Sequence, residues 1–328
     1  MTHEIVDGHG RIVDYLRVSV TDRCNLKCDY CMPPSGSDPS PKCSILSIKQ
    51  LLRLVRIFAQ LGVSKFRFTG GEPLLRKGIV NLIRQVSQTR GVREIALTTN
   101  GILLEAMASP LREAGVGVVN ISLDSMLQER YQAITGSAGL ERALAGIDAA
   151  LEASFRAVKI NMVVMRGVND SEIEDFVQLA IERKIQVRFI EYMPATPSAW
   201  RRERLYPMDM VMERAGRVAR MEPVERARWG GPAKIYRLLE GKGELGFISP
   251  VTRHFCDACN RVRLTAEGEM LTCLFSNDRL DLKSMLLSEA TDGQIRQAIG
   301  EYARFKPAVR DMEGFSTRGQ GAMYKVGG

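Results

Sequence analysis

The chain has 328 residues, of which 46 are Lys or Arg and 38 are Asp or Glu, so its formal net charge is +8. With 45% hydrophobic and 26% charged residues it has the composition of a globular protein, which excludes a disordered or collagen-like chain. No apolar run approaches the roughly 18 residues that cross a bilayer, and seven cysteines without a secretory signal indicate a reducing compartment, so we predict a cytoplasmic protein of about two domains.

Residues 14 to 218 alternate β-branched runs with helical patterns, which predicts repeated βα units around a parallel sheet. The predicted strands are 15–21, 65–69, 94–100, 118–124, 158–165 and 187–193. The predicted helices lie near 47–61, 77–89, 103–114, 139–154 and 171–184. These units are too few for a closed eightfold barrel.

Polar and apolar residues alternate along these strands, so each strand has one polar and one apolar face. Closed barrels usually fill their lumen with aliphatic side chains, and doubly wound sheets are apolar on both faces. We therefore predict an α/β fold with an incomplete (βα)6 TIM-like barrel, helices outside and a cationic lumen. The cations expected to face the lumen are Arg17, Lys65, Arg67, Lys159 and Arg188.

Five cations in a cleft of low dielectric repel one another, which favours a polyanionic ligand such as a triphosphate. The alternative is that Asp124 and other acids neutralise them internally. The dense basic stretch Trp200 to Arg204 is interrupted by an acid and predicts a solvated loop, with anion binding as the weaker interpretation.

The pattern changes after residue 220. Short strands at 234–239, 245–249 and 261–264, expected to be antiparallel, precede a helix near 293–304 and a Gly-rich tail. We therefore predict a barrel core over 1–225 and a smaller C-terminal α+β module over 226–328.

A first cysteine cluster follows the first predicted strand, with Cys24, Cys28 and Cys31 spaced C-x3-C-x2-C. A structural zinc or a fully ligated [4Fe-4S] cluster takes four protein ligands, so three cysteines on an iron–sulfur cluster leave one iron open to a substrate or cofactor. The alternative is a zinc site with a distant fourth ligand. The turn Gly70-Gly71-Glu72-Pro73 ends the second strand, where glycines would let the backbone approach a ligand and Glu72 could accept hydrogen bonds from an ammonium.

A second cluster contains Cys256, Cys259 and Cys273, spaced C-x2-C-x13-C. His254 could complete a Cys3His zinc site, so zinc is an open alternative. Arg261 and Arg263 alternate on the strand between these cysteines and suit an anionic substrate bound beside an open metal position. Cys43 lies in a Pro/Ser-rich stretch and is assigned no ligand role.

The first cysteine motif and the Gly-Gly-Glu-Pro turn resemble those of the radical S-adenosylmethionine (SAM) superfamily. The two triads together resemble the GTP 3′,8-cyclases of molybdenum cofactor biosynthesis (the MoaA family). The segments that carry this resemblance are LRVSVTDRCNLKCDYCMP, FRFTGGEPLLR, LTTNGILL, VNISLDS, YQAITG, VKINMVV, VRFIEYMP, HFCDACNRVRLT, CLF and the pair Gly327-Gly328. Val326, where the family usually has Ile, and the stretch ATPSAW after Pro194 depart from its pattern.

The resemblance implies two [4Fe-4S] clusters, one on each triad, with SAM on the open iron of the first and guanine at the open iron of the second. It implies that Arg17 is catalytic and that the Gly327-Gly328 tail enters the active site. The residues implied to contact SAM are Tyr30, Gly71, Glu72, Ser122 and Met193. Those implied to surround GTP are Arg17, Lys65, Arg67, Thr98, Lys159, Arg188, Arg261, Val262 and Arg263.

The reaction implied is removal of hydrogen from ribose C3′ by a 5′-deoxyadenosyl radical, followed by closure of C3′ on guanine C8. The implied partners are an electron donor and, downstream, the cyclic pyranopterin monophosphate synthase; nucleic acid and membranes are not expected, and the assembly is left open between monomer and homodimer. Another radical SAM enzyme with an auxiliary cluster is the alternative within the class. A zinc-containing nucleic-acid-binding protein is the alternative outside it, although only 6% of the residues are aromatic.

Overall fold

The computed structural model describes residues 4–32, 45–225, 231–311 and 323–327. Its strands are β1 (Tyr15–Ser19), β2 (Lys65–Thr69), β3 (Glu94–Thr99), β4 (Val118–Ser122), β5 (Ala157–Val164), β6 (Gln186–Glu191), β7 (Met221–Val224), β8 (Lys234–Leu238), β9 (Glu244–Ile248), β10 (Arg261–Leu264), β11 (Glu269–Leu271) and β12 (Leu280–Asp281). Its helices are α1 (Ile48–Gln60), α2 (Ile79–Ser87), α3 (Ala108–Glu113), α4 (Gln128–Thr135), α5 (Leu140–Glu152), α6 (Ile173–Glu182), α7 (Met208–Val218), α8 (Leu282–Leu287), α9 (Asp292–Ala303) and α10 (Met323–Val326).

The strands form one sheet in the order β12-β11-β10-β1-β2-β3-β4-β5-β6-β9-β8-β7. Strands β1 to β6 pair in chain order and are all parallel, as the βα pattern predicted. The incomplete barrel with its helices outside is therefore confirmed.

Helix α1 shows how local sequence produces the outer layer. Ser47 caps the helix and forms a reciprocal capping box with Gln50. Its apolar residues recur at helical spacing, and Leu51, Leu54 and Phe58 are fully buried against the sheet. The outward side chains of the strands pack against such helices, leaving the polar strand face for the lumen.

Four helices of the described residues were not predicted, namely α4, α7, α8 and α10, and the reason differs between the first two. Helix α4 buries few residues, mainly Tyr131 and Ile134, so its apolar periodicity is weak. Helix α7 lies in the region between the last predicted barrel strand and the second module. It packs on α6, its Met208 and Val211 are buried, and its Arg214 pairs with Glu174 of α6.

Strands β8 and β9 are antiparallel to each other, as predicted, and β10 is antiparallel to β11, a strand that was not predicted. However, β9 also pairs in parallel with β6, and β10 with β1, so the second segment extends both edges of the barrel sheet. Strand patterns do not identify pairing partners distant in sequence, so this continuity could not be predicted. The division at residue 225 stays a prediction. No helix among the described residues is long and apolar enough to cross a membrane.

Candidate active site

One cavity extends through the barrel lumen from the carboxyl ends to the amino ends of the parallel strands, and both cysteine triads line it. Cys24, Cys28 and Cys31 belong to the loop that follows β1. Cys256 and Cys259 precede β10, and Cys273 follows β11. Because β10 is parallel to β1, with Arg261 opposite Tyr15, and β11 runs back along β10, the second triad lies at the amino ends of these strands, at the other end of the lumen from the first.

The thiols of the first triad are held in a poorly solvated loop. The Cys24 sulfur accepts a hydrogen bond from the Leu26 amide at 3.4 Å, and the Cys28 carbonyl accepts from the amides of Cys31 and Met32. Burial raises the pKa of Cys24 to about 11, and burial together with the neighbouring Cys24 thiol raises the pKa of Cys31 to about 12. Three thiolates therefore need a cationic centre to be stable here.

The donor set fits an iron–sulfur cluster better than one metal ion. Within the described ranges, no group of three or more Cys, His, Asp or Glu side chains is arranged to hold a metal ion. Each cysteine of an iron–sulfur site binds a different iron atom. The cysteine sulfurs therefore lie further apart than they would around a single metal ion. His254, the proposed fourth zinc ligand, is exposed and does not line the cavity, so the structure gives that ligand set no support.

The two glycines of the Gly-Gly-Glu-Pro turn line the cavity and also accommodate the cluster loop. A Cβ on Gly70 would lie 2.2 Å from the Thr21 carbonyl oxygen, and one on Gly71 would lie 2.2 Å from the Arg23 carbonyl oxygen. The Gly71 amide donates to Thr21 and the Glu72 amide to Arg23, both at 2.8 Å. Side chains at these positions would push the loop away from β2.

The carboxylate of Glu72 lies at the cavity wall and is 1% exposed. It accepts hydrogen bonds from the amides of Leu74 at 3.0 Å and Asn100 at 2.8 Å, and from the Thr99 hydroxyl at 2.8 Å. Burial raises the pKa of Glu72 to about 7 despite these donors. A cationic ligand group in the cavity would favour the ionised form.

Tyr30 is tied to the opposite side of the barrel. Its hydroxyl donates to Asp124 at 2.7 Å, and the other Asp124 oxygen accepts from the Val163 amide at 2.8 Å. Asp124 is therefore occupied with the cluster loop and β5, and it does not neutralise the lumen cations as the alternative interpretation supposed.

Buried cations support the second triad. Lys306 is 3% exposed, and its ammonium donates to the carbonyls of Arg261 at 2.7 Å and Thr272 at 2.6 Å, next to Cys273. Arg11 donates to the Cys256 carbonyl at 2.7 Å.

These cations change the acidity of one thiol. Burial raises the pKa of Cys259, but Arg261 and Lys306 lower it more, to about 6. Cys259 is thus poised to bind metal as a thiolate at neutral pH.

Between the triads the cavity wall carries guanidinium groups of Arg17, Arg67, Arg188 and Arg263. Within the described part of the chain, the Nε atoms of Arg17 and Arg67 are buried without hydrogen-bond partners. Burial, and then repulsion from Arg263, lowers the pKa of Arg17 well below its usual value. Buried donors of this kind need an anionic ligand, so the lumen fits a polyphosphate.

The expectation of five unpaired cations was wrong for Lys65. Its ammonium lies 2.6 Å from Glu94, the residue directly across from it in the β2–β3 register. The sequence did not identify Glu94 as the partner of Lys65, because Glu94 is the first residue of its strand. At a strand end the alternation of polar and apolar residues gives the weakest indication of which face of the sheet a side chain lies on.

Lys159 is half-buried on β5 and is not part of the cavity wall. Burial, and then the charges of Arg188 and Arg67, lowers its pKa to about 6. Its amine is therefore largely neutral at pH 7 in the absence of an anion.

The tail enters the cavity. Met323 and Tyr324 line it, and Tyr324 packs against Met32 and beside Cys24 and Cys31. Arg263 donates to the Gly327 carbonyl. Gly327 has a φ of +73°, and a Cβ there would lie 2.4 Å from the Thr69 side chain, so only glycine fits. Gly328 and Cys43 lie outside the described residues.

Most of the residues suggested for the site therefore converge on one cavity, while Lys65, Lys159, Val262 and Gly327 are not in its wall, and the Val262 side chain is buried in the core. Those in the wall are Arg17, Cys24, Cys28, Tyr30, Cys31, Arg67, Gly71, Glu72, Thr98, Ser122, Arg188, Met193, Cys256, Cys259, Arg261, Arg263 and Cys273.

Sequence reasoning missed Asn161, Arg310 and Lys306 as wall residues. Asn161 could have been predicted as a wall residue, since it follows Lys159 by two positions and lies on the same face of the strand. Lys306 and Arg310 follow α9 in an irregular segment, where no periodicity assigns a face.

Two family models match the chain in succession. The Radical SAM superfamily model matches residues 18–180, and the Molybdenum Cofactor Synthesis C model matches residues 185–312.

Curated relatives align over nearly the whole length. A GTP 3′,8-cyclase of Geobacter sulfurreducens is 45% identical over 327 residues, covering 99% of this chain and 100% of that protein. A GTP 3′,8-cyclase of Thermodesulfovibrio yellowstonii is 44% identical over 303 residues, covering 92% of this chain and 94% of that protein. The mitochondrial GTP 3′,8-cyclase of Arabidopsis thaliana is 40% identical over 311 residues, covering 93% and 78%.

Solved structures agree on the fold. Streptococcus suis SuiB bound to S-adenosylmethionine superposes with a TM-score of 0.58 at 16% identity, covering 88% of this chain and 69% of that one. SuiB bound to the precursor peptide SuiA superposes with a TM-score of 0.60 at 15% identity, covering 94% of this chain and 77% of that one. At this identity the likeness shows the fold alone.

Proposed function

The chain belongs to the GTP 3′,8-cyclase family of the radical SAM superfamily, and from this membership we propose how its residues cyclise GTP. The enzyme converts GTP to (8S)-3′,8-cyclo-7,8-dihydroguanosine 5′-triphosphate, in the first step of molybdenum cofactor synthesis. The observation that best supports the residue roles is that both thiol triads and four lumen guanidinium groups share one cavity.

Cys24, Cys28 and Cys31 hold the [4Fe-4S] cluster that binds SAM. When bound, this cluster and SAM supply a 5′-deoxyadenosyl radical that takes hydrogen from C3′ of GTP. The chain fixes the position of that reaction, since the cluster loop is bonded to the Gly70–Glu72 turn on one side and through Tyr30 to Asp124 on the other. Tyr30, Gly71, Glu72, Ser122 and Met193 contact SAM.

The lumen guanidinium groups hold the triphosphate, and Cys256, Cys259 and Cys273 would hold a second [4Fe-4S] cluster, which could bind the guanine of the substrate. Arg17 lies on β1 between the two triads, and its unpartnered Nε can donate to substrate. Its other proposed GTP-site neighbours are Lys65, Arg67, Thr98, Lys159, Arg188, Arg261, Val262 and Arg263. By excluding water and holding ribose C3′ against guanine C8, these residues favour ring closure.

Several broader assignments are proposals as well. We place the SAM core in residues 1–225 and the auxiliary-cluster module in 226–328. An electron donor reduces the enzyme in the cytoplasm, and the cyclised product passes to the cyclic pyranopterin monophosphate synthase. An anaerobic assay for cyclised GTP tests the function, and absence of that product with both clusters loaded would contradict it.

Replacement of Arg67 by Ala is expected to weaken GTP binding by ~1.5 to 3 kcal/mol, the range for hydrogen bonds to charged groups. SAM cleavage should survive, because Arg67 lies on β2 away from the cysteine loop. Equilibrium binding of GTP to the anaerobic enzyme measures the effect. Arg217→Ala is the matched control, because Arg217 is an exposed arginine paired with Glu213 outside the cavity wall. Equal affinities for wild type and Arg67→Ala would place the Arg67 guanidinium away from the phosphates.

GTP binding is expected to take up a proton at Lys159. Its pKa is about 6 without ligand, and a triphosphate favours the ammonium, so the pKa rises on binding. Affinity should therefore be greatest at low pH and should fall as pH rises above 6, by up to about tenfold per unit until the bound-state pKa is reached.

Calorimetry in buffers of different ionisation enthalpy, between about pH 6.5 and 8.5, measures this uptake. Lys159→Gln is the control for protons exchanged by the triphosphate itself. The same proton count in wild type and variant would rule out Lys159 as the titrating group.

A further inference from the structure

The stretch Ala195–Trp200 departs from the family pattern, and the segment Ala195–Tyr206 that it begins lies between two functional parts of the molecule. Thr196, near its start, is 3% exposed. Its hydroxyl donates to the Cys31 carbonyl at 2.9 Å and accepts from the Met323 amide at 3.4 Å. One side chain thus joins the SAM-cluster loop to the tail. Thr196 is 165 residues from Cys31 and 127 residues from Met323 in the sequence.

The rest of the segment holds Thr196 on a fixed support. The Tyr192 hydroxyl donates to the Ala199 carbonyl at 2.5 Å, and the Tyr192 and Trp200 rings stack with centroids 4.7 Å apart. Arg204 forms an ion pair with Asp29 of the cluster loop at 2.7 Å. The segment is therefore anchored both to the end of β6 and to the loop of the first triad.

The tail, by contrast, cannot hold its own conformation. Helix α10 has only four residues, and a helix of one turn is unstable in isolation. Its position depends on contacts with other segments. Besides Thr196, these include hydrogen bonds from Ser19 to the Lys325 carbonyl at 3.3 Å and from Arg263 to the Val326 carbonyl at 3.3 Å, and one between the Tyr324 amide and the Cys31 sulfur.

We propose that Thr196 is a positioning residue that seats the tail against the SAM-cluster loop, through its one hydroxyl shared between the Cys31 carbonyl and the Met323 amide. This role rests on the proposed part of the tail in cyclisation. Because a threonine hydroxyl is one donor and also an acceptor, it can serve both groups at once. Loss of the hydroxyl leaves the Cys31 carbonyl and the Met323 amide without this hydrogen-bond partner. The tail is then held less firmly where it enters the cavity.

The test compares Thr196→Val, which keeps the shape and removes the hydroxyl, with Thr196→Ser, which keeps the hydroxyl. Hydrogen exchange of the tail amides is followed by mass spectrometry on the anaerobic holoenzyme without GTP. In the valine variant, exchange at Met323 and Tyr324 should be about fivefold faster, the factor for one net hydrogen bond. The serine variant should match wild type, and iron content should be unchanged in both.

A second readout is the coupling ratio, the amount of 5′-deoxyadenosine formed per cyclised GTP. It should rise in Thr196→Val and stay at the wild-type value in Thr196→Ser. Wild-type exchange in the valine variant, equal effects of both substitutions, or loss of iron from the valine variant would each overturn the proposal. If the wild-type enzyme did not cyclise GTP, the exchange result would still decide whether Thr196 seats the tail, so the two failures are distinguishable.

Discussion

Replacement of Cys256, Cys259 and Cys273 by Ala is expected to lower the iron content from about eight to about four atoms per chain, with sulfide falling in parallel. The remaining cluster belongs to the first triad, whose loop is bonded to the turn after β2 and to Asp124 and, over its described residues 20–32, shows no hydrogen bond to these three cysteines. SAM cleavage should persist in this variant, whereas cyclised GTP should fall below detection.

Anaerobic iron and sulfide analysis of the variant measures this effect. Cys43→Ala is the matched control and should keep all of its iron, since Cys43 is assigned no ligand role. Stoichiometric zinc in the wild-type enzyme, or loss of all iron from the triple variant, would contradict the assignment of two separate clusters.

Deletion of Gly327 and Gly328 is expected to lower cyclised GTP formation by at least about 100-fold while leaving the fold and both clusters intact. The reason is positional. The Gly327 carbonyl accepts from Arg263, one of the lumen guanidinium groups, so the tail orients a cation that we place on the substrate. The last residues add little to the core, and loss of chain ends usually does not affect folding.

Gly327→Ala is a sharper form of the same test. The φ of +73° and the 2.4 Å approach to Thr69 both exclude a Cβ at this position, so a single methyl group should also disrupt the seating of the tail. Lys325→Ala, which leaves the backbone carbonyl free to accept from Ser19, is the control. Iron content and melting temperature verify folding. Near-wild-type product formation by the deletion variant would mean that the last two residues have no role in cyclisation.

The barrel was predictable because strand alternation and helical periodicity are local signals. Phe66 and Phe68 alternate with Lys65 and Arg67, and the structure places the phenylalanines in the core and Arg67 in the cavity wall. The cysteine triads could be recognised in the same way, from spacing alone.

What could not be predicted depends on contacts between distant residues. The pairing of β10 with β1 places the second triad in the same lumen as the first, at its other end, and nothing in either strand identifies its neighbour. The same holds for Glu94, which neutralises Lys65 across two strands, and for Lys306, which supports the second triad from beyond α9. The glycines at 70 and 71 were noticed, but only the structure shows that they accommodate the cluster loop.

The most direct test of the account is the fate of the C3′ hydrogen of GTP. The wild-type enzyme, with both clusters loaded, is incubated anaerobically with SAM, a reductant and GTP deuterated at C3′, and the 5′-deoxyadenosine is examined by mass spectrometry. A cavity that holds ribose between the two triads predicts one deuterium in 5′-deoxyadenosine for each cyclised GTP. Cyclised GTP accompanied by unlabelled 5′-deoxyadenosine would contradict it.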